Sequence, residues 1–344
     1  VVATVVPGTD RLPGVLPTER LTANARPVPE VREQLRRIPG GRNAVTVAGA
    51  WLQSFGVVAA AAVIDRWWGY LIAFFLMGRA FALLNILAHE AAHRLLFRPR
   101  RLNDFVGRWL LAYPAFNPFD VYRRSHMAHH RDEMGPDEPD LDLYSGYPIT
   151  RDSMRRKLTR DAIGVSGWKN LAPLFKALRR GSSRPVAARI LGVQVVLWAA
   201  MWLASGQWWL YPLLWLAPWM TVWRVLNRLR AIAEHAGMER SSDRRRTTHV
   251  VRQRLLARFW MVPYHTGWHL AHHVDSGIPW RHLPALHGEL VAAGWVTPEL
   301  EYPSYVALWR ALASRRDPVG PPAGQEPESY RARSARSNRP SSAT

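Results

Sequence analysis

Residues Ala44 to Ile64 run for about twenty positions without one charged side chain, the length an α-helix needs to cross the hydrocarbon of a bilayer. Arg42 precedes the run and Asp65–Arg66 follow it. A second apolar run, Trp67 to about Ala88, opens on the interfacial pair Trp67–Trp68. Backbone groups in lipid must bond within their own segment, so both runs are expected to be helices joined by a tight turn. Ile190 to Gly206 and Trp208 to Trp223 repeat the pattern, with Gly206 and Gln207 at the turn. The expectation is an all-α fold, a four-helix transmembrane bundle of two hairpins. Phe105 to Phe119 is too short to cross and is cut by Pro114 and Pro118, which predicts an interfacial helix. Arg79 interrupts the second run and is expected to face a polar channel inside the bundle.

Charge orients the spans. The chain carries 46 Lys and Arg against 26 Asp and Glu, a net +20, and its positives flank the apolar runs. The leader, residues 94–189 and the region after Arg224 are rich in arginine, whereas the turns near Asp65 and Gln207 carry almost none. Both hairpins should therefore point away from the cytoplasm, with the termini and a helical cap on the cytoplasmic face. An anionic lipid surface accounts for the charge, and no motif that reads nucleic acid accompanies it. Residues 1–43, mixed in Pro, Gly and Arg and without a signal-peptide pattern, form an irregular cytoplasmic leader. Residues 44–314 form the membrane-integral domain, and 315–344, rich in Pro, Ser and Arg, a disordered tail.

Cysteine is absent, which excludes disulfides, thiolate-held iron–sulfur clusters, Cys-containing zinc fingers and a thiol nucleophile. Any metal must then be held by His, Asp or Glu. Most of the 13 histidines fall into tight groups at the ends of apolar segments. His89 and His93, in H-E-A-A-H, share one helical face at i and i+4. His126, His129 and His130 in H-M-A-H-H, and His269, His272 and His273 in H-L-A-H-H, each place three imidazoles at i, i+3 and i+4. His235, on the cytoplasmic extension of the fourth span, is a ninth candidate; His265, one turn before His269, is a possible supporting donor. His249, His282 and His287 stand apart and carry no assignment.

The first two groups lie on one loop, and a complete hairpin separates them from the third, so all can meet on one side of the membrane. Eight or nine neutral imidazoles exceed what one tetrahedral zinc uses but suit two ions of higher coordination number, with iron the expected metal. HExxH is also the signature of zinc proteases, with Glu90 as general base, and that reading stays open, as does a non-enzymatic metal-binding membrane protein. Carboxylates that take the outer ring N–H of a ligating histidine fix its tautomer. Asp140, within Gly-Pro-Asp137-Glu138-Pro-Asp140-Leu-Asp142, is the preferred candidate for that role, followed by Glu90 and Glu234.

With these groups in view, the chain resembles the integral-membrane fatty acid desaturase and hydroxylase family, whose HxxxH, HxxHH and HxxHH boxes bind a di-iron centre. The match covers about residues 44 to 290, and His235 is similar in placement to an additional ligand after the fourth span. The resemblance implies an O2-dependent reaction at two irons that removes hydrogen from unactivated methylenes of a long fatty acyl chain. Either a double bond or an alcohol can result. Three residues separate the first two histidines, as in acyl-lipid desaturases and related hydroxylases. The His-Glu start is shared with alkane monooxygenases, but their second box carries an upstream acid–histidine feature missing here, which ranks a desaturase above a lipid or alkyl-chain hydroxylase. With no cysteine and no fused haem motif here, the family likeness further implies an external electron donor, a ferredoxin or cytochrome b5-like carrier with its reductase. The composition places the enzyme in a bacterial inner membrane with its active site cytoplasmic.

Overall fold

In the computed structural model, which describes residues 4–179 and 181–315, the chain is mostly helical with almost no strand. Among the described residues the one sheet is a two-residue parallel pair, Val250–Val251 beside Glu301–Tyr302. The tail expected to be disordered lies, apart from Arg315, outside the described residues.

The leader is docked rather than loose. It carries α1 (Pro29–Leu35), opened by proline in the first turn, where the missing N–H costs nothing. Leu21, Ala25, Val31 and Leu35 bury themselves with Leu270, Val274, Trp280 and Leu286 from the far end of the chain.

The first apolar hairpin is α2 (Gly40–Ile64) and α3 (Trp67–Ala92), with Asp65 in the left-handed region at φ 43° to make the turn. From Met77 to Ala92 nearly every residue of α3 is buried, because later elements wrap it on all sides. A helix apolar around its whole circumference belongs in such a central position. Next come α4 (Arg100–Phe105) and a π-helical turn, Val106–Ala112. A Cβ at Gly107 would stand 2.6 Å from both the Ala91 side chain and the Phe119 ring, so glycine is what lets this segment lie against α3 between His89 and His93.

The expected interfacial helix is instead this π turn followed by a buried turn at residues 113–116. Buried carbonyls outside a helix need donors. The Gln194 amide donates to Tyr113 (2.7 Å), the Trp215 indole to Pro114 (3.1 Å) and the Trp219 indole to Ala115 (2.9 Å).

The cap then adds α5 (Phe119–Arg131), α6 (Leu141–Tyr144), α7 (Arg151–Ala162) and α8 (Val165–Ala177). The third long apolar helix, α9 (Arg184–Ser205), ends at Gly206 with φ 71°. Three helices, α2, α3 and α9, are long and apolar enough to cross a membrane. The expected fourth span, Trp208–Trp223, is not one helix. It runs through a π turn at Pro212–Leu216 into α10 (Ala217–Met220), breaks at Thr221, and resumes as α11 (Val222–His235). Pro212 and Pro218 supply no N–H to the ladder, and the helix widens or breaks around them. This broken segment packs along α3 and brings the chain back to the side from which α9 left.

The remaining helices are α12 (Leu255–Trp260), α13 (His269–Val274), α14 (Leu283–Ala292) and α15 (Tyr305–Leu312). They also settle the position of Arg79, which lines a largely apolar cavity between α2 and α3 rather than a polar channel. Its guanidinium donates to Gln53 Oε1 of α2 (2.8 Å) and to the Phe259 carbonyl in the last turn of α12 (2.7 Å), over the Phe259 ring. Leu255, Leu256 and Phe259 of that short helix are exposed. Arg79 thus fastens an apolar surface helix to the hairpin.

Candidate metal centre

All nine histidines singled out in the sequence meet where the ends of α3, α5, α11 and α13 converge, and seven of the nine are buried. They divide into two adjacent groups. His89, His93, His126, His130 and His272 have their ligand nitrogens within 4.8 Å of one another, and so do His129, His235 and His273. His269 joins the second group, its Nε2 standing 3.1 Å from that of His235 and 3.0 Å from that of His273. The groups cross the sequence boxes. His272 of α13 sits with the histidines of α3 and α5, and His129 of α5 sits with those of α11 and α13.

Helical periodicity explains the division. On α5, His126 and His130 are one turn apart and face the first group, while His129 is rotated toward the second. On α13, His269 and His273 share a face and His272 is turned from it.

The outer nitrogens are tied to acceptors. Glu133 accepts from His273 Nδ1 (2.9 Å) and approaches His235 Nδ1 (3.2 Å), while His235 Nδ1 also donates to the Thr247 carbonyl (2.9 Å). Glu138 accepts from His129 Nδ1 and from the Met134 backbone N–H, and the Tyr144 hydroxyl lies 3.2 Å from the same histidine nitrogen. Glu234 lies 3.5 Å from His269 Nδ1 and takes Arg230 at 2.7 Å. Glu133 is itself bonded by Thr248 (2.8 Å) and Arg244.

A neutral imidazole that donates from Nδ1 presents a bare lone pair at Nε2. In His129, His235 and His273 that lone pair points into the cluster. The Nε2 separations are 2.9 Å for His93 and His126, 3.1 Å for His126 and His130, and 3.0 Å for His130 and His272. Lone pairs set that close repel unless a cation lies between them. Ligands at right angles around a metal ~2.1 Å away are ~3.0 Å apart, against ~3.4 Å at tetrahedral angles. The buried His89 Nε2 has no hydrogen-bond partner among the described residues. The two histidine groups have the donor set to hold metal through imidazole nitrogens.

Electrostatics agrees. Burial first, and neighbouring imidazoles second, hold His126, His130, His269, His272 and His273 well below the usual imidazole range, so they stay neutral as ligands must. His235 is the exception: burial pulls it down, but the hydrogen bond and charge of Glu133 outweigh that and raise it. Glu133 is correspondingly held below the usual carboxylate range, the pull of His235 and Arg244 exceeding the cost of its burial.

The supporting residues were only partly legible. Asp140 makes no hydrogen bond to a histidine among the described residues; it lines a neighbouring cavity, and burial raises its pKa. Glu138 does the work expected of it. Glu90 accepts from the Trp280 N–H (3.1 Å), and His265 packs its ring between Trp268 and Trp280, away from the nine. Glu133, which contacts His235 and His273, was missed; it lies just past the end of α5, outside the helical period that marks the histidines.

The sequence model of one protein family, described as fatty acid desaturase, matches residues 65–306. Dihydrorhizobitoxine desaturase of Bradyrhizobium elkanii is 27% identical over 248 residues, which cover 66% of this chain and 70% of that protein. The sn-1 acyl-lipid omega-3 desaturase (ferredoxin) of Synechocystis sp. is 30% identical over 95 residues, 28% of this chain and 25% of that protein.

Proposed function

The chain belongs to the fatty acid desaturase family, and on that premise we propose that it is an O2-dependent, acyl-lipid type desaturase that introduces a double bond into a long acyl chain. The observation that carries the reading is the pair of adjacent histidine groups with Nε2 spacings near 3.0 Å. His89, His93, His126, His130 and His272 would hold one iron, and His129, His235, His269 and His273 the other. Two irons bound there would supply the reductive activation of O2 and the removal of two hydrogens from adjacent methylenes. The chain's own part is to keep the imidazoles neutral, fix their tautomers through Glu133, Glu138 and Glu234, and exclude bulk water by burial.

The active site and termini are assigned to the cytoplasmic face of a bacterial inner membrane, because arginine crowds the histidine end of the fold. Electrons come from an external acidic carrier of the ferredoxin or cytochrome b5 kind. That reading is supported by a cavity of about 920 Å³ that reaches His93 and is lined by Arg36, Arg37, Arg94, Arg98 and Arg100.

Iron analysis of the purified protein together with lipid profiling of an expressing host tests the proposal. About two irons per chain and a product lacking two hydrogens are expected. A product that gains one oxygen would make the enzyme a hydroxylase, and a single zinc would remove the proposal altogether.

A further inference from the structure

We infer that the substrate is an acyl lipid whose head group bears an anion, a phosphate or a carboxylate, that enters the cavity beside the histidines and seats on Arg224. The inference rests on the proposal that these histidines act on a hydrocarbon chain.

A cavity of about 490 Å³ touches His126, His129, His235 and His269 at one end. Phe116, Leu174, Trp219 and Trp223 give it apolar wall, as an alkyl chain requires. Polar groups interrupt that wall: Asn85, Asn117, Asn227 and Arg224 face the same space. A slot for hydrocarbon alone gains nothing from half-buried amides and a guanidinium in its wall, whereas a few polar groups in an apolar pocket fix the orientation of a ligand that has a polar end.

The arginines of α11 provide an internal comparison. Arg228 forks onto both oxygens of Asp161, and Arg230 pairs with Glu234. Arg224 has no carboxylate partner among the described residues. It donates to the Trp219 carbonyl (3.1 Å) and lies 4.0 Å over the Trp219 ring. Burial outweighs the pull of the nearby Asp161 carboxylate and pushes its guanidinium down to about 9. Burying a charge without a partner is costly, and an anion delivered by the ligand offsets that cost. The planar fork of arginine matches a carboxylate or phosphate edge with two parallel hydrogen bonds.

Arg224 and Asn227 lie on one face of α11, one turn apart, and the same face continues to Glu234 and His235. Three turns of helix separate Arg224 from His235, roughly 16 Å. A head group at Arg224 therefore places the oxidised methylenes a chain's length away from it, at the histidine end.

The test is binding, without turnover. Dodecanoate, dodecyl phosphate and methyl dodecanoate are titrated calorimetrically against the full-length protein in nanodiscs, for the wild type, Arg224→Gln and Arg224→Lys. Wild type should prefer at least one anion over the neutral ester by about tenfold or more, and which anion wins identifies the source of the head group. Arg224→Gln should lose most of that preference while its ester affinity stays within about twofold, and Arg224→Lys should keep part of it. Equal wild-type affinity for all three ligands overturns the inference even if no variant folds, as does an Arg224→Gln protein that still prefers the anion. Since no turnover is needed, an anion site in a protein without iron would sink the desaturase proposal alone, and two irons without anion preference would sink this inference alone.

Discussion

Glu133 accepts from His273 and approaches His235, while Arg244 and Thr248 hold it from behind. It thereby fixes which nitrogen of two imidazoles faces inward, and both belong to the four-histidine group. Removing a carboxylate in such a position weakens metal retention about 10–100-fold. On the proposed two-iron reading, Glu133→Gln should therefore lose one iron to a competing chelator and keep the other, whereas His272→Ala should strip the five-histidine group first. Loss of both irons together from Glu133→Gln would show that the carboxylate supports the whole cluster instead. The histidines could be read from sequence because three ligands on one helical face leave an i, i+3, i+4 trace. Their acceptors could not. Asp137, Glu138 and Asp140 lie in a loop and Asp142 in the single turn of α6, so no period says which carboxylate turns inward, and Glu138 rather than Asp140 does.

At the scale of elements, three of the four apolar runs are long apolar helices, and the fourth is broken. Trp208 to Trp223 is as hydrophobic as a span, and hydropathy is blind to what Pro212 and Pro218 do to the ladder. The broken helix has a use: it aims Trp215 and Trp219 at the carbonyls of residues 114 and 115, with Gln194 of α9 on Tyr113. These bonds hold the buried turn that leads into α5 and so position His126, His129 and His130. Leaving a buried carbonyl without its donor costs about 1–3 kcal/mol. Trp215→Phe and Gln194→Leu should each lower thermal stability in detergent by that order. Trp202→Phe, on the exposed side of α9, should change it by less than ~0.5 kcal/mol. Equal effects at all three positions would mean that side-chain volume, not carbonyl capping, is being measured. Arg79 was misread for a related reason, because its acceptor, the Phe259 carbonyl, lies 180 residues away.

Across the whole molecule, the two cavities give the histidine cluster two distinct approaches. One reaches His93 between arginines of the leader and of the segment after α3; the other reaches His126, His129, His235 and His269 along α11. The docking of the leader gives the first its shape: α1 packs on the cap through Val31 and Leu35, which sets Arg36 and Arg37 opposite Arg94 and Arg98. Arg32, which lines the same cavity, is salt-bridged to Asp275, whereas Arg36, Arg37, Arg94 and Arg98 form no salt bridge among the described residues and would present open positive charge to the proposed acidic carrier. Facing charges of opposite sign speed encounter and are screened within about 8 Å at physiological salt. Reversing Arg36 and Arg94 to glutamate should therefore raise the KM for a reduced ferredoxin at least about tenfold and flatten the salt dependence of the rate. The same double variant driven by a small uncharged reductant should turn over as the wild type does, because its histidines and its substrate cavity are unchanged. An equal loss with both reductants would mean that the substitutions disturb the His93 side of the cluster itself, and that the carrier docks elsewhere on the cap.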